Sequence, residues 1–388
     1  MKPSIIHRVV ACLAAFTLPF MVACSSQEDS LPEAGSSLWA VFTLDLGDTA
    51  ACGMTRATPT DGEYDKGSGL ENFIDFPQKD FRCYLFGMDN VFVSTLDIVS
   101  IQDFGEKIYS IRLRLPDTEM VKNALTNGCR FVFLANWGSY DEPIPGTTTI
   151  ADLCTASSAQ FEFSQQKTVL SADNLIPMYG VKEFESGVQD FKDGKDISDI
   201  GTVHLLRAFA KVDVNIKFED FAEEPVVTSV SLTRSNDKGF KAPKDVTEEG
   251  QYVHGSWHKD YTPVHIPDDA GDTDVALMLT KDETGHYIAY VPEYRNVENG
   301  NPLPLDSRSR IKINFTAEGL EFDGYVDFCN SDNPPTGATS GQHFDIARNN
   351  WYKFNVTVKC QNMYWTVDVI PFTPKVLRPD FGLEITTN

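Results

Sequence analysis

The run LWAVFTLDL, residues 38–46, alternates strictly: Leu38, Ala40, Phe42, Leu44 and Leu46 share one wholly apolar face, while Thr43 and Asp45 point the other way. Successive side chains of an extended chain leave opposite faces, so this period of two describes a β-strand with one buried side. The same period returns along most of the chain. FRCYLFGM, VFVSTLDIV and IYSIRLRLP carry it in the first half. In VHLLRAFAKVDVNIKFED, residues 203–220, Val212, Val214, Ile216 and Phe218 stand against Asp213, Asn215 and Lys217. Further runs follow at VVTSVSLTR, VALMLT, HYIAYVPEY, RIKINFTAE, LEFDGYVDF, NWYKFNVTVK and YWTVDVIPF. CRFVFLANW, residues 129–137, is almost continuously apolar, as a strand buried on both faces would be. Helical signals are few: DTEMVKNALTNG, residues 117–128, with Asp117 at its cap, and the shorter TTIADLCTAS. Many short strands separated by turn residues define an all-β sandwich protein rather than an α/β one.

A chain of 388 residues exceeds one ordinary sandwich and suits two. The acidic, weakly apolar stretch ESGVQDFKDGKDISDIG, residues 185–201, reads as the connection between them. The expected domains are therefore 37–200 and 201–388. The formal charge of −23 sets up a field that repels phosphate backbones and disfavours nucleic-acid binding.

The first residues read as an export signal. Lys2 and Arg8 form a basic region, and VVACLAAFTLPFMVA, residues 9–23, is an apolar stretch short of a comfortable membrane span. It ends in MVAC, similar to the bacterial lipobox, in which the cysteine is lipidated and becomes the first residue. Cys24 is the expected lipidation site, residues 1–23 the signal, and 24–36 an acidic linker opening with SSQEDS. Loss of residues 1–23 removes Lys2 and Arg8 and no acid, so the mature charge is −25. A single lipidated cysteine tethers a protein to a surface. The remaining cysteines, Cys52, Cys83, Cys129, Cys154, Cys329 and Cys360, form no CxxC pair and fit no zinc module; they read as small buried residues, with a disulfide left open.

No nucleophile elbow, phosphate loop or HExxH helix is present, and no carboxylate pair stands out, so the chain reads as a non-enzyme without a cofactor. The loop PDDAGDTD, residues 267–274, has four aspartates, but Glu283 lies too far along to complete a calcium loop; a solvated acidic loop is the simpler reading. His254, His258 and His265 read as surface residues of an insertion. Trp257 and Tyr261, and likewise Trp137 and Tyr140, are aromatics suited either to stacking on a sugar or to covering a sandwich end.

Behind the opening strand lies CGMTRATPTDGEY, residues 52–64, with Arg56 the first positive charge after Arg8. Gly53, Thr58, Pro59 and Gly62 keep such a segment open to proteases. The stretch beginning TRATPTDGEYDKGSGLENFIDFPQKDFRCYLFGMDN, with RFVFLAN, IPMYG, LLRAFAKVDV, YVPEY, RNNWYKFNVTV and MYWTVDVIPF, resembles the Bacteroidetes fimbrillins, the type V pilins, in order and over nearly the whole mature chain. The resemblance implies two tandem transthyretin-like (Ig-like Greek-key) β-sandwich domains, export as a lipoprotein to the outer membrane surface, and polymerisation into an adhesive pilus. It implies that an arginine-specific, trypsin-like protease cuts between Arg56 and Ala57, removing the strand of Leu38, Ala40, Phe42, Leu44 and Leu46. A C-terminal strand of another subunit then fills the gap. Here WTVDV offers such a donor, with Trp365, Val367 and Val369 alternating with Thr366 and Asp368 and followed by Phe372; it reads equally as the last strand of its own domain. The expected partners are other pilin subunits, the protease, the membrane through Cys24, and a host or bacterial surface receptor. Residues 373–388 run beyond the usual ending and the 236–275 insertion is long, so stalk, tip and uncleaved anchor stay open. A surface carbohydrate-binding lipoprotein using Trp257 and Tyr261 is the alternative from another class.

Overall fold

The computed structural model describes residues 38–45, 48–49, 74, 80–103, 108–138, 140–171, 173–203, 205–243, 264–273, 275–330, 341–359, 363–371 and 373–374. Strand β1 (Leu38–Asp45) is followed by β2 (Asp48–Thr49), β3 (Phe81–Gly87), the twelve-residue β4 (Phe92–Asp103) and β5 (Ile108–Leu115). Then come α1 (Glu119–Asn127), β6 (Cys129–Ala135), α2 (Ile150–Thr155), β7 (Gln160–Glu162), β8 (Met178–Phe184), α3 (Gln189–Lys192), β9 (Ile197–Val203) and β10 (Leu206–Arg207). Eight of these strands form one sheet in the order β10-β8-β6-β3-β4-β5-β1-β9.

This sheet folds over on itself. The first part of β4 pairs with β3, Leu96 opposite Cys83, and its later part pairs with β5, Asp103 opposite Tyr109; a bulge between Ile98 and Ser100 marks the change. Bulges bend a strand and increase its twist. The β1 layer is thereby brought over the β6 layer, and the rings of Phe42 and Phe133 meet with centroids 4.6 Å apart. Between the layers lie Ala40, Phe42, Leu44, Ile111 and Leu113 against Cys83, Leu85, Phe131 and Phe133, all fully buried. β6 is buried along its whole length, as its nearly continuous apolar run requires, and its one charged residue, Arg130, pairs with Glu183 at 2.7 Å. Val132 and Leu134 turn to the outer side, where Tyr84, Phe86, Trp137, Ile150 and Leu153 cover them.

The helices differ from expectation in one detail. Thr118, not Asp117, caps α1: its hydroxyl accepts the Val121 N–H at 3.3 Å, while Asp117 pairs with Lys122 at 2.5 Å. α2 opens with a capping box between Thr149 and Asp152.

Residues 185–201, expected as a connection, hold α3 and most of β9. The strand was hidden because it has few apolar anchors, Ile200 and Val203 at 2 % and 1 % exposure, set among acids and glycines. Pairing jumps from Val41–Asp199 to Phe42–Gly201, leaving Ile200 as the extra residue of a bulge. Gly201 there has φ +76°, a conformation that glycine adopts without strain. Strands of this sheet run through Arg207, and those of the next begin at Ala210.

The second half forms two facing sheets. β11 (Ala210–Glu219), β12 (Val226–Leu232), β13 (Ser235–Asn236), β14 (Lys238–Phe240), β15 (Asp272–Thr273), β16 (Leu277–Met278), β17 (Thr280–Lys281) and β18 (Tyr287–Val291) come first. They are followed by β19 (Val297–Glu298), β20 (Asn301–Pro302), β21 (Arg310–Ala317), β22 (Leu320–Asp327), β23 (Asn350–Lys359), β24 (Met363–Pro371) and β25 (Thr373–Pro374). A five-stranded sheet, β17-β18-β11-β23-β24, faces a four-stranded one, β16-β12-β21-β22. Val212, Val214 and Phe354 on the first meet Val230, Ile311, Ile313 and Val326 on the second, as their alternation requires. The single strand expected at VALMLT is split: Leu277 pairs in one sheet and Thr280 in the other. The architecture is all-β in tandem sandwiches with few short helices.

Two ladders join distant parts of the chain. β7 pairs antiparallel with β14, and Phe163, Leu170 and Ile176 enter the core of the second sandwich beside Phe209. β2 pairs antiparallel with β25, Asp48 opposite Pro374 and Thr49 opposite Thr373. Among the described residues no helix is long and apolar enough to cross a membrane.

Phe133 touches the rings of both Phe42 and Phe81 at 0 % exposure. Phe133→Ala should lower stability by about 3–5 kcal/mol, the usual effect of emptying a buried aromatic position. A guanidinium denaturation midpoint followed by near-UV circular dichroism checks it.

Candidate functional site

The apolar face of residues 38–46 is seated between two strands. On one side β1 is antiparallel to β5 over eight register pairs, from Leu38–Leu115 to Asp45–Ile108. On the other it is parallel to β9, from Trp39–Ile197 to Leu44–Val203, and the Trp39 N–H donates to the Asp196 carbonyl at 2.7 Å. Ala40, Phe42 and Leu44 are completely buried, Leu38 partly so. Without β1 the sandwich would keep an open seat floored by Phe133 and walled by β5 and β9, with backbone donors and acceptors exposed along both walls. Phe42 and Leu44 each account for about 1.5–3 kcal/mol of burial in that seat. An arrangement of this kind binds a strand.

Leu38, Ala40, Phe42 and Leu44 are thus brought together. Leu46, Cys24, Arg56, Ala57, Phe372, Trp257 and Tyr261 lie outside the described residues. Trp365, Val367 and Val369 fall in β24, where they pair with Val356, Phe354 and Tyr352 of β23 at the edge of the five-stranded sheet.

A second constellation joins the sandwiches, and single-motif reasoning on the sequence did not find it. Glu293 of YVPEY and Arg348 of RNNWYKF form an ion pair at 2.8 Å, with side chains 3 % and 1 % exposed. Glu293 also accepts the backbone N–H groups of Arg348 and His265, at 3.1 and 3.0 Å. The Arg348 guanidinium donates to the carbonyls of Phe240 and Lys241, and the Lys241 ammonium to those of Trp137 and Ser158, at 2.6 and 2.7 Å. Arg207 of LLRAFAKVDV donates through its N–H and guanidinium to the Asn349 side-chain oxygen. Trp137 closes the chain by donating its indole N–H to the Met178 carbonyl at 2.9 Å. The short motifs scattered along the sequence therefore meet at one junction; their order along the chain, which resembles that of the fimbrillins, was the available signal. Trp137, at 3 % exposure, is part of that junction and not a free sugar platform. Tyr140 lies under the Arg82 guanidinium and donates its hydroxyl to Glu142.

The acidic loop is engaged with cations of its own chain: Asp269 pairs with Lys238 at 2.6 Å and Asp272 with Arg234 at 2.7 Å. No metal-holding group of three His, Cys, Asp or Glu residues occurs among the described residues. Cys83, Cys129, Cys154 and Cys329 are buried, and burial pushes the Cys129 thiol up to about 12. Of the three histidines, His265 is described. Instead of lying on the surface it stacks on Phe240 with centroids 4.0 Å apart. Burial, aided by the Arg348 charge, lowers its pKa to about 4.

No known family profile matches the sequence, and no curated protein matches it. The structure is similar to the tip fimbrial protein Mfa3 from Porphyromonas gingivalis with C-terminal truncation. The TM-score is 0.50 and the identity 14 %, over 86 % of this chain and 99 % of that one. Candidate cell-adhesion proteins from Bacteroides uniformis and Bacteroides eggerthii follow, each at TM-score 0.45, with 11 % and 12 % identity. They cover 88 % and 87 % of this chain and 100 % and 96 % of theirs. The fold of this chain is that of a Bacteroidetes fimbrial protein, the class its motifs resemble.

Glu293→Gln should destabilise the protein by about 3–5 kcal/mol, because it strands the Arg348 charge in the interior. The double variant Glu293→Leu/Arg348→Met should recover much of this loss, as chemical denaturation of the three proteins would show. His265 has a folded pKa below its unfolded one, near 6.5, so the unfolded chain takes up a proton that the folded chain resists. Stability should therefore fall as pH drops from about 6.5 to about 4, by up to about 3 kcal/mol. His265→Phe, which keeps the stack, should flatten that slope when denaturation midpoints are compared at pH 7.5 and pH 5.

Proposed function

We propose that this chain is a structural subunit of a type V pilus, carried to the cell surface by a lipid on Cys24, activated by cleavage after Arg56, and joined to its neighbours by exchange of a β-strand for cell adhesion. The observation that carries this reading is the seat of β1: an interior strand with ladders on both sides and three wholly buried side chains. Eleven residues beyond Asp45 comes an arginine in a Gly-, Thr- and Pro-containing stretch. Fold likeness to a fimbrial protein supports the reading, and so do the ordered motifs. Trp365, Val367 and Val369 form the proposed donor, on an edge strand free to leave its sheet without breaking a ladder on a second side. The outer membrane, other subunits and an arginine-specific protease are the partners in this scheme, and the role is not enzymatic. A tip position is the second reading, favoured by the fold it shares with a tip protein.

The cut alone does not empty the seat, because both ladders and the buried face continue to hold the severed strand. Trypsin should convert the protein to a species that begins at Ala57 and retains the excised fragment non-covalently in native mass spectrometry. That species should then form oligomers in light scattering over hours. Arg56→Ala should stay monomeric with an unchanged melting temperature. Absence of a cut after Arg56, or a cut product that never assembles, would sink the proposal.

A further inference from the structure

The ladder between β2 and β25 ties together the two chain segments that the proposed exchange must separate. β2 lies between the seated strand and Arg56, so it belongs to the part that cleavage would remove. β25 follows β24 after one residue, so it continues the proposed donor. Pro374 has no N–H, so the Asp48–Pro374 pair cannot exchange two hydrogen bonds. In an antiparallel ladder such pairs alternate, which makes Thr49–Thr373 the pair that exchanges both.

We propose that β2 is a clasp that holds the donor segment in place until β1 and β2 leave together. Once cleavage has severed the covalent link, departure of this one fragment has two effects: it vacates the seat in the first sandwich and releases the C-terminal end of β24 from its restraint. An uncut subunit is blocked both as acceptor and as donor, which keeps precursors monomeric during export. This inference rests on the strand-exchange reading above and adds the regulation of its donor end.

Thr49→Pro removes one of the two bonds from the β2 side and Thr373→Pro removes the other from the β25 side, while neither touches β1 or Arg56. In uncut protein, hydrogen exchange should quicken about tenfold in the peptide covering residues 370–374 for Thr49→Pro and in the peptide covering residues 47–50 for Thr373→Pro, with exchange in β1 and β5 unchanged. Cut wild-type protein from which the fragment has been displaced should show the same quickening. In a second arm, Arg56→Ala subunits, which keep β1 and so cannot accept a strand, are mixed with cut wild-type subunits, which can. Arg56→Ala/Thr49→Pro should enter the oligomers several-fold faster than Arg56→Ala alone. Unchanged exchange at 370–374 in Thr49→Pro and at 47–50 in Thr373→Pro overturns the clasp, and so does equal incorporation in the mixing arm. If trypsin fails to cut after Arg56, the cleavage reading falls, whereas the exchange arm on uncut protein still decides whether the clasp exists.

Discussion

The contact between Phe42 and Phe133 holds the first sandwich closed. These two rings are the point where a single folded-over sheet touches itself, and the strands on either side are arranged to deliver them. The bulge in β4 turns the sheet, and β5 and β9 grip β1 along both edges. The continuous apolar run of β6 then follows from geometry, since one of its faces looks toward Phe42 and the other toward Tyr84, Trp137 and α2. One strand near the start of the chain thus completes a core built from residues far behind it. That dependence makes the strand valuable to the fold and consequential if it is exchanged.

The junction between sandwiches works by a different physical principle. Its centre is a buried pair of opposite charges whose remaining donors and acceptors are satisfied by backbone from several segments. Such an arrangement contributes little net stability over a well-packed apolar one. It does specify geometry, because Arg348 meets its partners only when Phe240, Lys241 and Glu293 are all in position. The β7–β14 ladder and the phenylalanines at 161, 163 and 209 supply apolar contact around it.

The period-two runs were legible because a half-buried strand writes its burial directly into its residues. Both sandwiches, the two-faced burial of β6 and the apolar face of β1 could be read that way. β9 could not, since its burial rests on Ile200 and Val203 and its shape on the φ +76° of Gly201; only the presence of β1 gives those residues meaning. The helix cap falls one residue later than expected because Thr118 is the extended residue whose hydroxyl reaches the Val121 N–H, while Asp117 pairs with Lys122. Glu293, Arg348, Asn349 and Arg207 stood within motifs that resemble the fimbrillins, but their purpose was not visible, because the groups that satisfy them are brought in from as far away as residue 137. His265 looked like a surface histidine because Phe240, twenty-five residues earlier, covers it only in the folded chain.

The parallel pairing of β1 with β9 also orders events in time. Trp39 and Ile197 are separated by more than 150 residues of chain, and closing so long a loop is unfavourable until the contacts it brings are nearly complete. β3 through β8 pair mostly with close neighbours in sequence and are able to assemble first. Among the described residues β9 pairs with β1 alone, so the second wall of the seat forms only as its occupant arrives. Closing the sandwich on β1 is thus a late step of folding, and displacement of the severed strand would reverse that step and release β9 with it.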